Sequence, residues 1–174
     1  MALQLWQSIP FACIILPLGC AAVTSIMKPR AARIWATSII SIVTVLSAVI
    51  TVIYMNGAQT YTYMMGHYPA PWGNELRVGA LEALTALVFS LVMLLSLLGG
   101  MKKLDEHLPQ QNQSLYCVVL LLMTAALMAQ VYTNDIFTGY VFLEIMTLAA
   151  CALIMSRQNA KIFFAIFDLV SLSI

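Results

Sequence analysis

The chain has 174 residues, of which 62% are hydrophobic and 9% are charged. Average chains carry roughly 25% charged residues, and no water-soluble domain of this size could bury so much apolar surface. The composition therefore predicts an integral membrane protein in contact with the lipid bilayer. The formal net charge of +1 and the lack of a basic cluster interleaved with aromatic residues argue against a nucleic-acid partner.

Residue types that hold cofactors are sparse and are not spaced for that purpose. The four cysteines fall inside apolar runs without C-x-x-C spacing, which predicts reduced packing residues. The two histidines lie in separate predicted loops, and no glycine-rich phosphate loop or nucleophile elbow is present. We expect no cofactor, no metal site and no catalytic site in this chain, which leaves the role of a non-catalytic subunit of an oxidoreductase or antiporter complex.

Six apolar stretches follow one another along the chain. A membrane-spanning helix needs about 20 mostly apolar residues, and the first five stretches come close to or exceed that length. The sixth covers roughly 20 Å at about 1.5 Å per residue and falls short of the roughly 30 Å hydrocarbon core. The sequence predicts one all-α integral membrane domain of five transmembrane helices and a truncated sixth: 5–27, 34–54, 79–100, 115–132, 136–155 and 162–174.

The connection between the second and third predicted helices, 56–78, is polar and rich in aromatic residues. Its tyrosines and Trp72 are typical of the interface between membrane and water. Pro69 and Pro71 exclude a continuous helix. This segment is therefore predicted to be an interfacial loop.

The basic residues are distributed unequally between the two sides of the predicted bundle. Of the eight Lys and Arg residues, only Arg77 falls on the side that carries the N-terminus. The other seven lie in alternate loops on the opposite side: Lys28, Arg30, Arg33, Lys102, Lys103, Arg157 and Lys161. By the positive-inside rule, the N-terminus is predicted to be outside, in a multi-pass protein of the cytoplasmic (inner) cell membrane.

One carboxylate, Glu144, falls near the middle of the fifth apolar stretch, NDIFTGYVFLEIMTLAACALIM. An acid at the centre of a spanning helix costs a few kcal/mol, so it is a functional candidate by default. Residues three and four apart share a helix face, which places Tyr140, Glu144, Thr147 and Cys151 on one stripe. We predict that this stripe faces protein or water rather than lipid. The alternative is that Glu144 only hydrogen-bonds a neighbouring helix.

Several stretches in the same order resemble the antiporter-like membrane subunits shared by respiratory complex I, membrane-bound hydrogenases and Mrp-type cation/proton antiporters. The fifth-helix segment is similar to the family's acidic turn, aromatic residues, Glu-Met and small residues. The loop GHYPAPWGNELRV resembles the segment before the family's third helix, and ILPLGCAA resembles the start of its first. The resemblance covers essentially the whole chain and the first six helices of the family's bundle.

The resemblance implies a mechanism for Glu144. In the family, the fifth-helix glutamate pairs with a lysine on a broken seventh helix, and a hydrated charged path continues along the membrane midplane. The proton occupancy of that pair is coupled to redox steps or to exchange for another cation. The lysine of the seventh helix is not contained in this sequence, so another chain is expected to supply it.

Three further charged residues are candidates for the same path, each with an alternative. Glu82 stands one turn beyond a position at which the family often has an acid, and it is either that acid moved along the helix face or an interfacial residue. Lys161 either reaches inward towards Glu144 or extends to the cytoplasmic surface. Asp168 either lengthens the polar path or hydrogen-bonds a neighbouring helix.

Two functions from different classes follow from these observations. The leading hypothesis is a truncated or split antiporter-like subunit of a multisubunit membrane complex, in which Glu144 is one station for protons or for a coupled cation such as Na⁺. The alternative is a structural or assembly module of such a complex with no ion translocation of its own. A stand-alone transporter or membrane enzyme is less favoured because no catalytic constellation is present.

Overall fold

The computed structural model describes residues 8–64, 75–108 and 110–155. These residues form five helices and two short strands: α1 (Ile9–Thr24), α2 (Pro29–Met55), β1 (Tyr61–Met64), β2 (Glu75–Val78), α3 (Ala80–His107), α4 (Gln110–Tyr132) and α5 (Ile136–Met155). Helices α2 to α5 each contain a segment long and apolar enough to cross a membrane, and α1 is a shorter apolar helix of 16 residues. The protein is therefore mostly helical and multi-pass, and the predicted stretch 162–174 lies outside the described residues.

Some helices extend beyond their apolar stretches. Helix α2 begins at Pro29, so that Arg30 and Arg33, which we assigned to a loop, lie in its first turns. Proline favours the first helical position because no backbone N–H is needed there. Helix α3 likewise continues to His107. Hydropathy marks only the part of a helix that crosses the hydrocarbon, which explains these differences.

Helix α4 lies at the centre of the described bundle. It packs against α1, α2, α3 and α5, whereas α5 makes its principal contact with α4 alone. Fully buried alanines line the contacts, among them Ala36 on α2, Ala83 on α3 and Ala129 on α4. Small side chains let helix backbones approach closely, which is the main source of packing energy where lipid is as apolar as the side chains.

A row of threonines joins α2 to α3. The Thr44 hydroxyl shares its proton between the Ile40 carbonyl of α2 at 2.9 Å and the Ser90 carbonyl of α3 at 3.3 Å. The Thr51 hydroxyl does the same between the Ser47 carbonyl at 2.8 Å and the Ala83 carbonyl of α3 at 3.1 Å. Thr37, seven residues before Thr44, reaches the Met101 sulfur at 3.5 Å. A spacing of seven residues is two helical turns, so the three hydroxyls lie on one face and fix the register of an antiparallel pair.

We expect Thr44→Val to destabilise the bundle by about 0.6 kcal/mol, the mean of measured interhelical hydrogen bonds in a membrane protein. The variant keeps the shape of the side chain and removes a hydroxyl that bonds both the Ser90 carbonyl of α3 at 3.3 Å and the Ile40 carbonyl of its own helix at 2.9 Å. Denaturant titration in detergent micelles measures the change. Thr85→Val is the matched control, because the Thr85 hydroxyl bonds to the Leu81 carbonyl of its own helix. Equal losses for both variants would show that the contact between the helices is not the cause.

The segment predicted as an interfacial loop contains a small antiparallel ribbon of β1 and β2, which adds strands to a fold that we predicted as all-α. The ribbon pairs Tyr61 with Val78 and Met64 with Glu75. Leu76 and Val78 are buried while Arg77 between them is exposed, as strand alternation requires. Four residues per strand are too few for this alternation to be distinguished from a loop in the sequence.

The ribbon lies against one end of the helix bundle, which we call the ribbon end. Leu76 forms an isolated bridge with Thr133, and the Asn134 N–H donates to the Glu75 carbonyl at 2.9 Å. At the same end, the Tyr54 hydroxyl donates to the Val78 carbonyl at 2.9 Å. The ribbon therefore connects the end of α2 with the turn between α4 and α5.

Candidate functional site

Glu144 lies eight residues after the start of α5, which places it about 12 Å along the helix from the ribbon end. Its side chain is half-buried. Among the ion pairs of the described residues, none involves Glu144. The acid thus lies within a spanning helix, at the edge of the contact between α5 and α4.

The predicted polar stripe of α5 is present, and its members have different environments. The Tyr140 hydroxyl faces the Glu144 carboxylate as a hydrogen-bonding partner, and 58% of the Tyr140 residue surface is exposed. Thr147 Oγ1 donates to the Glu144 backbone carbonyl at 2.9 Å, so it does not serve the carboxylate. Cys151 is buried. The stripe therefore begins on the open side of α5 at Tyr140 and ends in the contact with the bundle.

A groove of about 470 Å³ opens between the ends of α4 and α5 at the ribbon end. Gln130, Asn134 and Asp135 supply polar groups to its walls. Gly139 carries no side chain, and Tyr140 forms the part of the wall next to Glu144. The groove therefore leads from the turn between the helices to the tyrosine that contacts Glu144.

Asp135, which lines the groove, caps the first turn of α5. Its Oδ2 atom accepts from the Thr138 hydroxyl at 2.8 Å and from the Thr138 N–H at 3.0 Å. These two hydrogen bonds, with the hydroxyl making the larger contribution, lower the pKa of the carboxyl below its ordinary value. A cap of this kind satisfies an N–H that has no partner inside the helix.

The lowered pKa predicts a pH dependence of stability. The capping contribution is complete above the ordinary pKa of 3.8 and is lost as the pH falls through the lower folded-state pKa. We expect the unfolding midpoint of the unmodified chain to fall more steeply than that of Asp135→Asn as the pH is lowered from about 5 to about 3. Thermal unfolding in detergent across this range measures it. Parallel curves for the two proteins would contradict the assignment.

The structure separates Glu82 from Glu144. Glu82 lies in the first turn of α3, and its Oε1 atom is 3.6 Å from Arg77 Nε of the ribbon. The side chains are 22% and 57% exposed, respectively. Helix α4 packs against both α3 and α5, which have no principal contact with each other. The other two candidates, Lys161 and Asp168, lie outside the described residues.

Within the described residues, no group of three or more His, Cys, Asp or Glu side chains is arranged to hold a metal ion. Two features of the site were not predicted from the sequence. The first is the contact between Tyr140 and Glu144. Their spacing of four residues indicated it, but we interpreted that spacing only as a shared face of the helix. The groove had no such signal, because it depends on how α4 and α5 diverge after the turn.

Comparison with known proteins identifies relatives of the chain. No family model matches it. It is 34% identical over 96 residues to NADH-quinone oxidoreductase subunit N of Desulforudis audaxviator. These matched residues are 55% of this chain and 19% of that protein. It is 28% identical over 150 residues to the putative antiporter subunit mnhD2 of Staphylococcus haemolyticus. Here the matched residues are 85% of this chain and 29% of that protein. The chain is related to antiporter-like membrane subunits.

A solved structure shows the same fold as this chain. A chain of the membrane-bound sulfane sulfur reductase, an archaeal respiratory membrane complex, superposes with a TM-score of 0.80 and 22% sequence identity. The match covers 94% of this chain and 34% of that chain. The predicted resemblance to antiporter-like membrane subunits is confirmed by the two curated relatives. The chain spans less than a third of the length of these relatives.

Proposed function

We propose that this chain forms part of a proton- or cation-translocating, antiporter-like subunit in a multisubunit membrane complex, and that Glu144 carries the ion or proton. The single observation that carries the proposal is a half-buried carboxylate within a spanning helix, one turn from the groove that Tyr140 lines. Acids in spanning helices are costly to bury and commonly mark ion or proton pathways. The relatives, an oxidoreductase subunit and an antiporter subunit, support this class of function.

The open side of α5 suggests where the rest of the pathway lies. Tyr140, Leu143 and Leu148 are exposed there, and the principal contact of α5 is with α4. We infer that another membrane chain packs on this side and brings a lysine to Glu144. An ammonium next to the carboxylate favours its ionised form, so a movement of either partner loads or releases a proton.

We propose that the ribbon end of the bundle lies on the outer side of the cytoplasmic membrane. Lys28, Arg30 and Arg33 lie where α1 joins α2, at the opposite end from the ribbon. Arg30 and Arg33 also line a shared groove with Met101, near the far end of α3. Clustered basic residues at one end favour a cytoplasmic location for that end.

To test the proposal, ion translocation is measured in the complex that contains the Glu144→Gln chain. Assembly of the complex is measured in the same samples. Loss of translocation in a fully assembled complex supports the ion-carrying role. Unchanged translocation favours the alternative, a structural or assembly module. Crosslinking from a cysteine introduced at Leu148 identifies the membrane chain that covers α5.

A further inference from the structure

A second group of polar side chains, separate from Glu144, lies inside the bundle near the ribbon end. It consists of Cys13 on α1, Ser47 and Tyr54 on α2, Glu82 on α3 and Tyr132 on α4, and we call it the ribbon-end cluster. Cys13, Tyr54 and Tyr132 pack in one buried cluster with Ala83, the neighbour of Glu82, and the Ser47 hydroxyl lies next to the Cys13 thiol. The cluster therefore extends from the surface acid Glu82 into the contact between three helices.

Two hydroxyls of this cluster are buried without a hydrogen-bond partner. They are Ser47 Oγ and Tyr132 Oη, and both residues are 0% exposed. The Cys13 thiol lies near the Ser47 hydroxyl, but the pair does not reach hydrogen-bond geometry, and a thiol is only a weak donor and acceptor. Buried polar groups in native proteins are almost always paired with protein or with ordered water, so each of these hydroxyls requires an explanation.

The membrane makes this requirement stricter. Ser47 lies eight residues before the end of α2, about 12 Å along the helix from the ribbon end. Bulk water does not reach that depth from the lipid side, and an unsatisfied polar group there costs several kcal/mol. Each hydroxyl offers one donor and acceptor lone pairs, which match the hydrogen-bonding capacity of a water molecule. Serine in place of alanine would otherwise gain nothing at position 47.

We propose that the ribbon-end cluster is a water-binding site, in which internal water bridges the Tyr132 and Ser47 hydroxyls next to the Cys13 thiol. Buried waters commonly make about three hydrogen bonds to groups that lack other partners. On the surface side, the Tyr54 hydroxyl donates to the Val78 carbonyl of the ribbon, and Glu82 pairs with Arg77. The site is independent of the function proposed for Glu144 and includes no residue of α5.

Hydroxyl-radical footprinting of the unmodified full chain, in detergent or in its complex, tests this proposal. Radicals generated from a bound water oxidise the side chains that touch it, even where bulk solvent has no access. Cys117 is the matched control, because it is a thiol that is also 0% exposed. We expect Cys13 to be oxidised at least about tenfold faster than Cys117, with Tyr132 oxidised as well, since the radical forms at the bound water.

Equal oxidation of the two thiols would overturn the proposal. The sign of the change in unfolding temperature in two variants gives a second test. If water bridges the hydroxyls, Tyr132→Phe and Ser47→Ala each lower the unfolding temperature, and the double variant loses less than the sum because both act through the same water. If the site is dry, removal of an unsatisfied hydroxyl raises the unfolding temperature, which also contradicts the proposal.

Discussion

Replacement of Glu144 by Gln is expected to reduce ion translocation by the assembled complex by at least about tenfold, because a positioned acid or base typically accelerates proton transfer by 10²–10⁴-fold. Glutamine has nearly the same shape and can still accept a hydrogen bond from Tyr140, but it neither binds nor releases a proton. Packing of α5 against α4 is preserved in this variant, since the half-buried side chain keeps its volume. The expected loss therefore comes from the charge alone.

The measurement is the pH gradient or cation gradient formed by the complex in sealed vesicles, with complex assembly and redox turnover followed in parallel. Glu75→Gln is the matched control, because Glu75 lies on the ribbon outside the spanning helices and contacts Asn134. Glu144→Asp, which withdraws the carboxylate by one methylene, is expected to fall between the two. Translocation unchanged by Glu144→Gln would contradict the proposed function and favour a structural module.

The membrane-crossing parts of the fold were predictable because they depend on one local property. A run of about 20 apolar residues has few alternatives to a spanning helix, since all of its backbone groups must be paired inside lipid. The helix α5, Ile136–Met155, shows this most clearly. The ends of α2 and α3 were less predictable, because helix continues into the aqueous phase where hydropathy carries no signal.

Features that depend on pairing between distant segments were not predictable from one sequence. The ribbon requires Tyr61 to meet Val78, and neither strand is long enough to be recognised alone. The threonine row was visible as a spacing of seven residues on α2, but the partner carbonyls on α3 carry no side-chain signal. Threonines repeated every seven residues in a spanning helix therefore indicate a face that contacts another helix.

In the candidate site, too, local features were predictable from the sequence and features that depend on distant segments were not. Glu144 was predictable because a single acid in an apolar run has a high free-energy cost. The stripe was predictable from helical periodicity, but the role of Thr147 was not, because a threonine hydroxyl can bond its own helix backbone as readily as a neighbouring carboxylate. The separation of Glu82 from Glu144 follows from the position of α4 between α3 and α5, which no local pattern encodes.

Substitution of Ala83 by Leu is expected to weaken the contact between α2 and α3 strongly and to destabilise the bundle. Ala83 is fully buried on α3, and its carbonyl accepts the hydrogen bond from Thr51 of α2. Extra carbon atoms in a packed contact cost about 1–3 kcal/mol, and separation of the helices also removes an interhelical bond of about 0.6 kcal/mol. We therefore expect a sharp decrease in the free energy of unfolding and in the yield of folded protein.

Ala80→Leu is the matched control for Ala83→Leu. It makes the same substitution one turn earlier on α3, at a residue that is exposed. Denaturant titration in detergent compares the two variants, and the expected order is a large loss for position 83 and little change for position 80. Ala83→Ser separates the two contributions, because a serine fits with little added volume. If Leu is tolerated equally at both positions, close approach of α2 and α3 through small residues does not hold this bundle together.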